Sequence, residues 1–193
     1  MIFDALTVGG LRVLVIDDFY TPGEIGAVKH EAQTLSAFAR GPEASGAAKG
    51  RKRGRALILD RFYEDIIRNR SSSPMLGAVQ KFLGSRLQSK AVAMDASYRH
   101  LARHQHRFSI LNFYADGDYY DSHTDDCALT AVTMFGLGSV SGGDLLFEEY
   151  DCTIPFRDNR AVVFPSPVLH AATPVTAADG SLRCSVATFF RYA

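Results

Sequence analysis

His123, Thr124 and Asp125 set an imidazole and a carboxylate two residues apart, and a second imidazole, His170, follows an apolar strand-like run well downstream. Arg183 lies thirteen residues past that histidine, and Ser185 two further on. Imidazole, carboxylate, imidazole and guanidinium in this order outline a non-haem iron site with a clamp for an anionic co-substrate. Two histidines and one carboxylate leave three positions of an octahedral iron open for chemistry. A guanidinium adds a planar fork that matches a carboxylate.

Such residues must be held by strands. Positions i and i+2 of a strand project to one face, so His123 and Asp125 can point together, as can Arg183 and Ser185. His170 ends the run from Val162 to Leu169, which reads as a strand, a tight turn at Pro165-Ser166-Pro167 and the start of the next strand. A single histidine more often packs or faces solvent than binds metal, so the ordering of the whole set carries the argument. Arg183 sits in the apolar run Leu182–Phe190 and needs a partner there, either an ion pair or a ligand carboxylate. For Tyr114, core packing and ligand contact both stay open, and Tyr120 either packs beside the metal or lines the substrate mouth.

From Tyr114 to Phe190 the chain resembles the iron(II) and 2-oxoglutarate-dependent oxygenase superfamily, in its prolyl 4-hydroxylase-like branch. The marks are Tyr114-x-x-Gly117-x-x-Tyr120-x-x-His123-x-Asp125, then Gly142-Gly143-Asp144-Leu145-x-Phe147, then His170, then Arg183-x-Ser185. The resemblance implies a double-stranded β-helix, with His123, Asp125 and His170 as ligands of Fe(II). It also implies that Arg183, Ser185 and Tyr114 bind the distal carboxylate of 2-oxoglutarate. The reaction implied is hydroxylation of an unactivated C–H bond, a prolyl or other aliphatic carbon of a protein, amino acid or metabolite. It would consume O2 and yield succinate and CO2, with ascorbate in a supporting role. Halogenases of similar pattern replace the carboxylate by a small residue; Asp125 therefore favours hydroxylation.

The remaining elements fit an α+β fold. Leu11–Ile16 reads as a strand, and Thr21-Pro22-Gly23-Glu24 as a capping box opening a helix to about Phe38. Arg55–Leu59 reads as a strand, Asp60–Ile67 as a short helix, and Ser73-Pro74 as the start of one helix reaching Leu87, with Arg86 and Lys90 near its end complementing the dipole. Beyond about Ala96, short aromatic and β-branched runs predict strands at Phe108–Tyr114, Leu129–Phe135, Asp144–Phe147, Ala161–Phe164 and Ser185–Phe190. Asp158-Asn159 reads as a hairpin turn. The expectation is a single domain over 1–193: a helical support region with edge strands over 1–95, and a jelly-roll (cupin-like) core over 96–193, with the N-terminal helices packed on one sheet.

Twenty-one basic and 21 acidic side chains give no net charge, so no global field draws the molecule to nucleic acid or membrane. No signal peptide or membrane span is read, and the three widely spaced cysteines, Cys127, Cys152 and Cys184, suggest free thiols in a cytoplasmic protein. The basic run Arg51, Lys52, Arg53, Arg55 reads as a solvated loop or as a substrate lid. His100 and His104 on a helix would face together as a second metal site; on a strand leading into Phe108, His100, His104 and His106 would share one face, as an entrance lining or a solvated face. One of Asp116, Asp118, Asp121 and Asp126 could orient a ligand histidine, and Glu148, Glu149 and Asp151 form an acidic spot. Two other functions compete, a nucleic-acid demethylase of the same superfamily and an inactive metabolite-binding barrel. A homodimer is compatible with everything read, and the expected partner is a small-molecule or peptide substrate.

Overall fold

Leu11, Val13, Leu14, Val15 and Ile16 are all buried, because the strand that carries them lies inside a sheet covered on both faces. The computed structural model that shows this describes residues 1–46, 51–94 and 96–192, and at 44, 45, 94, 97 and 100–102 the backbone alone. In chain order the strands are β1 (Ile2–Val8), β2 (Leu11–Asp17), β3 (Arg55–Ile58), β4 (His104–Tyr114), β5 (Tyr120–His123) and β6 (Leu129–Leu137). They continue with β7 (Val140–Gly142), β8 (Leu145–Phe147), β9 (Cys152–Ile154), β10 (Arg160–Pro165), β11 (His170–Ala172), β12 (Val175–Ala177) and β13 (Leu182–Tyr192). A seven-stranded sheet runs β1-β2-β10-β6-β13-β4-β3 and a four-stranded one runs β5-β11-β8-β9. These antiparallel sheets make the double-stranded β-helix, and β7 with β12 forms a small ribbon at one end.

Alternation along β4 and β13 decides what each face does. Leu111, Phe113, Cys184, Val186 and Phe190 turn to the helices, where Val28, Ala32, Leu35, Met75, Leu76, Val79 and Phe82 complete one apolar core. The opposite face looks into the sandwich. There Val13, Val132, Met134 and Phe164 of the large sheet meet Leu145, Phe147 and Ile154 of the small one. Each such large side chain, fully buried, contributes about 1.5–3 kcal/mol.

The helices begin where their caps predict. Thr21 Oγ1 accepts from the Glu24 amide at 3.4 Å while Glu24 Oε2 accepts from the Thr21 amide at 2.7 Å, closing the capping box of helix Pro22–Leu35. Ser73 caps helix Pro74–Leu83 by accepting from Leu76 N at 3.1 Å. Glu31 ties the two together, accepting from Tyr63 Oη, Ser73 Oγ and Met75 N at 2.7, 2.5 and 2.9 Å.

Three expectations need correction. The helix from Ser73 does not run through to Leu87: Gly84 is extended (φ −75°, ψ 144°), and a second helix, Ser85–Met94, follows. Arg86 thus lies in a first turn, where a cation opposes the dipole. Asp158-Asn159 is a turn but not a hairpin. β9 before it pairs with β8, whereas β10 after it pairs with β2 and β6. The two side chains stitch other segments instead, Asp158 accepting from Gly136 N and Asn159 from Tyr20 N, each at 2.8 Å. The histidine cluster does not share one strand face, since Ala96–Arg103 is a 3-10 helix and β4 begins at His104.

Candidate metal centre and co-substrate cavity

His123 closes β5 and His170 opens β11, and the two are direct register partners in the small sheet. Their rings lie 4.3 Å apart between centroids. Asp125 falls just past the end of β5, so it reaches the histidines through a bend in the chain and not through strand alternation. Its amide donates to Ser166 O at 3.0 Å, which fastens that bend to the turn before β11. Asp125 Oδ1 is 3.7 Å from His123 Nε2, Oδ2 is 3.5 Å from His170 Nε2, and one donor atom from each residue lies within 4.8 Å of the others.

Neighbours hold these donors in register. His123 Nδ1 donates to Asp121 O and His170 Nδ1 to Val168 O, both at 2.9 Å. A carbonyl only accepts, so each Nδ1 carries the proton and each Nε2 lone pair is left for a metal. The orienting group at Asp121 is its backbone carbonyl; its carboxylate is not used. Thr130 Oγ1 donates to Asp125 Oδ2 at 2.7 Å and is itself 2.8 Å from Ser166 Oγ. Burial, then the neighbouring His170 charge, lowers the His123 pKa to about 3, while burial raises that of Asp125. The first shift keeps the His123 imidazole neutral, the form that can ligate a metal, and the second marks a carboxylate whose charge is poorly compensated by its surroundings. Tyr120 does both things foreseen for it, stacking on His123 at 3.7 Å and lining the cavity.

The cavity measures about 450 Å³ and runs from these donors along the inner face of β4 and β13. Register makes its floor a ladder of four pairs, Tyr114–Arg183, Asn112–Ser185, Ile110–Ala187 and Phe108–Phe189. The first two rungs are polar and the last two apolar. Arg183 is 2% exposed; its Nη2 donates to Gly143 O at 3.0 Å, its Nε has no hydrogen-bond partner, and it forms no ion pair among the described residues. The guanidinium lies over the Tyr114 and Phe156 rings, 5.2 and 5.9 Å from their centroids. Ser185 is buried beside Asn112, with Nδ2 to Oγ 3.5 Å, and burial raises the Tyr114 pKa, keeping its hydroxyl protonated as a donor. An orphaned guanidinium nitrogen, a serine and a tyrosine facing one space fit a carboxylate. Gly143 (φ +68°) makes room for it, since a Cβ there would stand 2.8 Å from Val175 Cγ2 and 3.2 Å from Arg183 Nε.

Lys52 is the residue the sequence concealed. It is 4% exposed within the basic run, and its Nζ donates to Asn112 Oδ1 at 2.6 Å inside the cavity. Burial, then the charge of Arg183, lowers its pKa to about 8. The other cations of that run behave differently. Arg51 donates to Ser122 O, Arg53 is largely exposed near Asp118, and Arg55 donates to Ser36 O at 2.7 Å. Residues 47–50 of the expected lid lie outside the described residues.

Other candidates do not join the site. His104 packs at a tilt against Tyr192, with ring centroids 4.8 Å apart, and His106 lies 3.0 Å from both Arg70 Nη2 and Ser109 Oγ. Neither lines the main cavity, and the side chain of His100 lies outside the described residues. Cys184 packs against the helices with its pKa raised to about 12 by burial, whereas Cys127 lies at the cavity rim. Glu148 and Glu149 sit on the exposed 3-10 turn Glu148–Tyr150, away from the cavity.

A double-stranded β-helix with two imidazoles and one carboxylate at its mouth and a buried cation deep inside defines a class of non-haem iron proteins. The family match is consistent with it: residues 108–191 match the model described as the 2OG-Fe(II) oxygenase superfamily. That stretch holds His123, Asp125, His170, Arg183 and Ser185, and so takes in the three metal donors and the buried cation. Among solved structures the chain is similar to a prolyl hydroxylase from Trichoplax adhaerens in complex with a hypoxia-inducible-factor peptide fragment. That likeness has 16% identity and TM-score 0.62, and covers 93% of this chain and 83% of that one. It is also similar to a Pseudomonas putida prolyl-4-hydroxylase, with 16% identity, TM-score 0.61 and coverage of 94% and 92%. A third, SnoN, the α-ketoglutarate-dependent epimerase of nogalamycin biosynthesis, has 10% identity, TM-score 0.60 and coverage of 93% and 76%. At these identities the likeness is one of fold. No curated protein matches the chain. No described helix is long and apolar enough to cross a membrane.

Proposed function

We propose that this protein hydroxylates an unactivated aliphatic carbon, prolyl or similar, presented by a peptide, an amino acid or a small metabolite. Fe(II) is held by His123, Asp125 and His170, and the distal carboxylate of 2-oxoglutarate by Arg183, Ser185 and Tyr114. The observation that carries this reading is the graded floor of one cavity. Three metal donors open onto a ladder whose polar rungs suit a dicarboxylate and whose apolar rungs suit a hydrocarbon.

Fe(II) and 2-oxoglutarate, when bound, would supply with O2 the oxidant for C–H cleavage, with succinate and CO2 as the co-products. The chain's own residues do the rest. The two Nδ1 protons, each given to a backbone carbonyl, keep both imidazoles turned to one point. The hydroxyl chain from Ser166 through Thr130 holds the Asp125 carboxylate. Ile110, Ala187, Phe108 and Phe189 exclude water from the region where a substrate carbon would lie. The region 1–95 and the core 96–193 act as one unit in this reading, because β1, β2 and β3 are built into the large sheet.

The test is metal and turnover together. His123→Ala and Asp125→Ala should each lose stoichiometric binding of Fe(II) or Mn(II) and abolish conversion of 2-oxoglutarate to succinate. Wild-type metal content in either variant removes that residue from the ligand set. Succinate formation stimulated by prolyl peptides, compared with free aliphatic amino acids, then sorts the substrate.

A further inference from the structure

We propose that Lys52 is a second cationic contact for 2-oxoglutarate, carried on a strap over residues 51–53 whose docking is thereby linked to co-substrate occupancy. The inference rests on the co-substrate assignment above. Its ground is position. Lys52 Nζ lies over Tyr114 and Tyr120, 5.7 and 5.1 Å from the ring centroids, and donates to Asn112, the partner of Ser185 on the second rung. Tyr120 in turn stacks on His123. The ammonium therefore flanks the path from the metal donors to Arg183. A dicarboxylate running along that path passes within its reach.

Charge makes the same point. Lys52 and Arg183 are two buried cations in one cavity, and neither forms an ion pair among the described residues. They repel each other, and a neutral amide is a poor partner for a buried ammonium. A dianion between them relieves both.

The strap is fixed mainly by what it touches. Arg53 N donates to Tyr119 O at 2.9 Å, Asp121 N donates to Arg51 O at 2.8 Å, and Lys52 bridges Tyr120. It thus pairs with the segment leading into His123. Gly54 (φ +119°) lets the chain leave this pairing for β3, since a Cβ there would meet Phe113 O at 2.7 Å. Releasing Lys52 from the cavity would pull this short pairing apart.

The experiment uses the full chain loaded anaerobically with Mn(II). Affinity for 2-oxoglutarate is measured by calorimetry, and the strap is followed by tryptic cleavage after Arg51 and Arg53. In the wild type, 2-oxoglutarate should slow that cleavage. Lys52→Met should weaken 2-oxoglutarate about ten- to a hundredfold, the range of a charge-assisted hydrogen bond, and remove the protection. Lys52→Arg should restore part of both, and Lys52→Gln repeats the test should the methionine variant not fold. Arg183→Met is the control: if it binds 2-oxoglutarate like the wild type, the co-substrate reading itself falls. If Arg183→Met loses binding while Lys52→Met binds normally, the role of Lys52 as a co-substrate contact is overturned; weakened binding with protection intact overturns the link between strap docking and co-substrate occupancy. A Lys52→Met protein with normal 2-oxoglutarate affinity and a raised KM for the hydroxylated substrate also overturns that role, and assigns the ammonium to a substrate anion instead.

Discussion

Replacing Arg183 by methionine should make the unliganded protein more stable and the liganded protein less so. The guanidinium is 2% exposed, with an unpartnered Nε. An unsatisfied buried donor costs about 1–3 kcal/mol, and the wider desolvation of a buried charge adds several more. Against this stand the bond to Gly143 O, about 1.5–3 kcal/mol for a charged donor, and the contacts with Tyr114 and Phe156, about 1–2 kcal/mol together. Methionine keeps most of the apolar stem and asks for no partner. The balance favours the variant by about 1–2 kcal/mol, and at roughly 2–4 °C per kcal/mol for a chain of this size its melting temperature should rise by about 2–8 °C.

Ligand reverses the order. Losing a bidentate carboxylate clamp costs about 3–4 kcal/mol of binding, a factor of several hundred in Kd. With Mn(II) present and 2-oxoglutarate at a hundred times the wild-type Kd, the wild type gains about 2.7 kcal/mol and the variant less than about 0.5 kcal/mol. Thermal unfolding followed by circular dichroism, with and without 2-oxoglutarate, should therefore give curves that cross. A variant that melts lower than wild type without ligand refutes the claim that the cation is uncompensated. An unchanged ligand-induced shift refutes its role as the clamp.

Gly143→Ala should lower stability by about 1–3 kcal/mol in chemical denaturation, since its backbone is left-handed and the new methyl meets Val175 and Arg183; 2-oxoglutarate affinity should fall with it. Asp17 predicts an acid limit. A hydrogen bond from Arg160 at 2.7 Å, with further help from Arg157, holds its pKa below the usual 3.8. A carboxylate with a depressed folded pKa contributes stability above its unfolded pKa and loses it as pH falls through the folded one. Asp17→Asn should thus cost about 1 kcal/mol in urea titrations at pH 7, and progressively less as pH falls below the usual 3.8; a loss independent of pH would dismiss the ion pair.

The convergence of His123, Asp125 and His170 was legible because their chemistry is rare and their order is constrained. Two imidazoles, a carboxylate and a guanidinium separated by apolar strand-like runs have few other uses. That Arg183 and Ser185 face one cavity was legible, since they share a face in any strand that holds them. That Tyr114 stands opposite Arg183 was not, because strand register is set between segments far apart in sequence. The β1–β2 hairpin escaped notice for a local reason. β1 is mostly exposed and lacks a strong apolar alternation, although Gly9-Gly10, at φ +56° and +89°, is a turn signal for two-residue hairpins. Asp158-Asn159 failed in the opposite way: the turn was real, but a turn does not say which sheet the chain enters next.

Lys52 shows where composition misleads most. Four cations within five residues read as a solvated run, and that is correct for Arg53. What separates Lys52 from its neighbours is pairing with Tyr120, a contact far away in sequence, which turns one side chain of the run inward. Charge density in a loop therefore reports the average fate of its residues and hides a single buried exception. The exception becomes readable once the partner strand is known, because pairing over residues 51–53 buries Lys52 while Arg53 stays exposed and Arg51 reaches the cavity only from an exposed position. The lid idea is bounded in the same way. If the strap serves the co-substrate, removing the charges of Arg51 and Arg53 should change 2-oxoglutarate affinity far less than removing that of Lys52, although the three are consecutive and chemically alike.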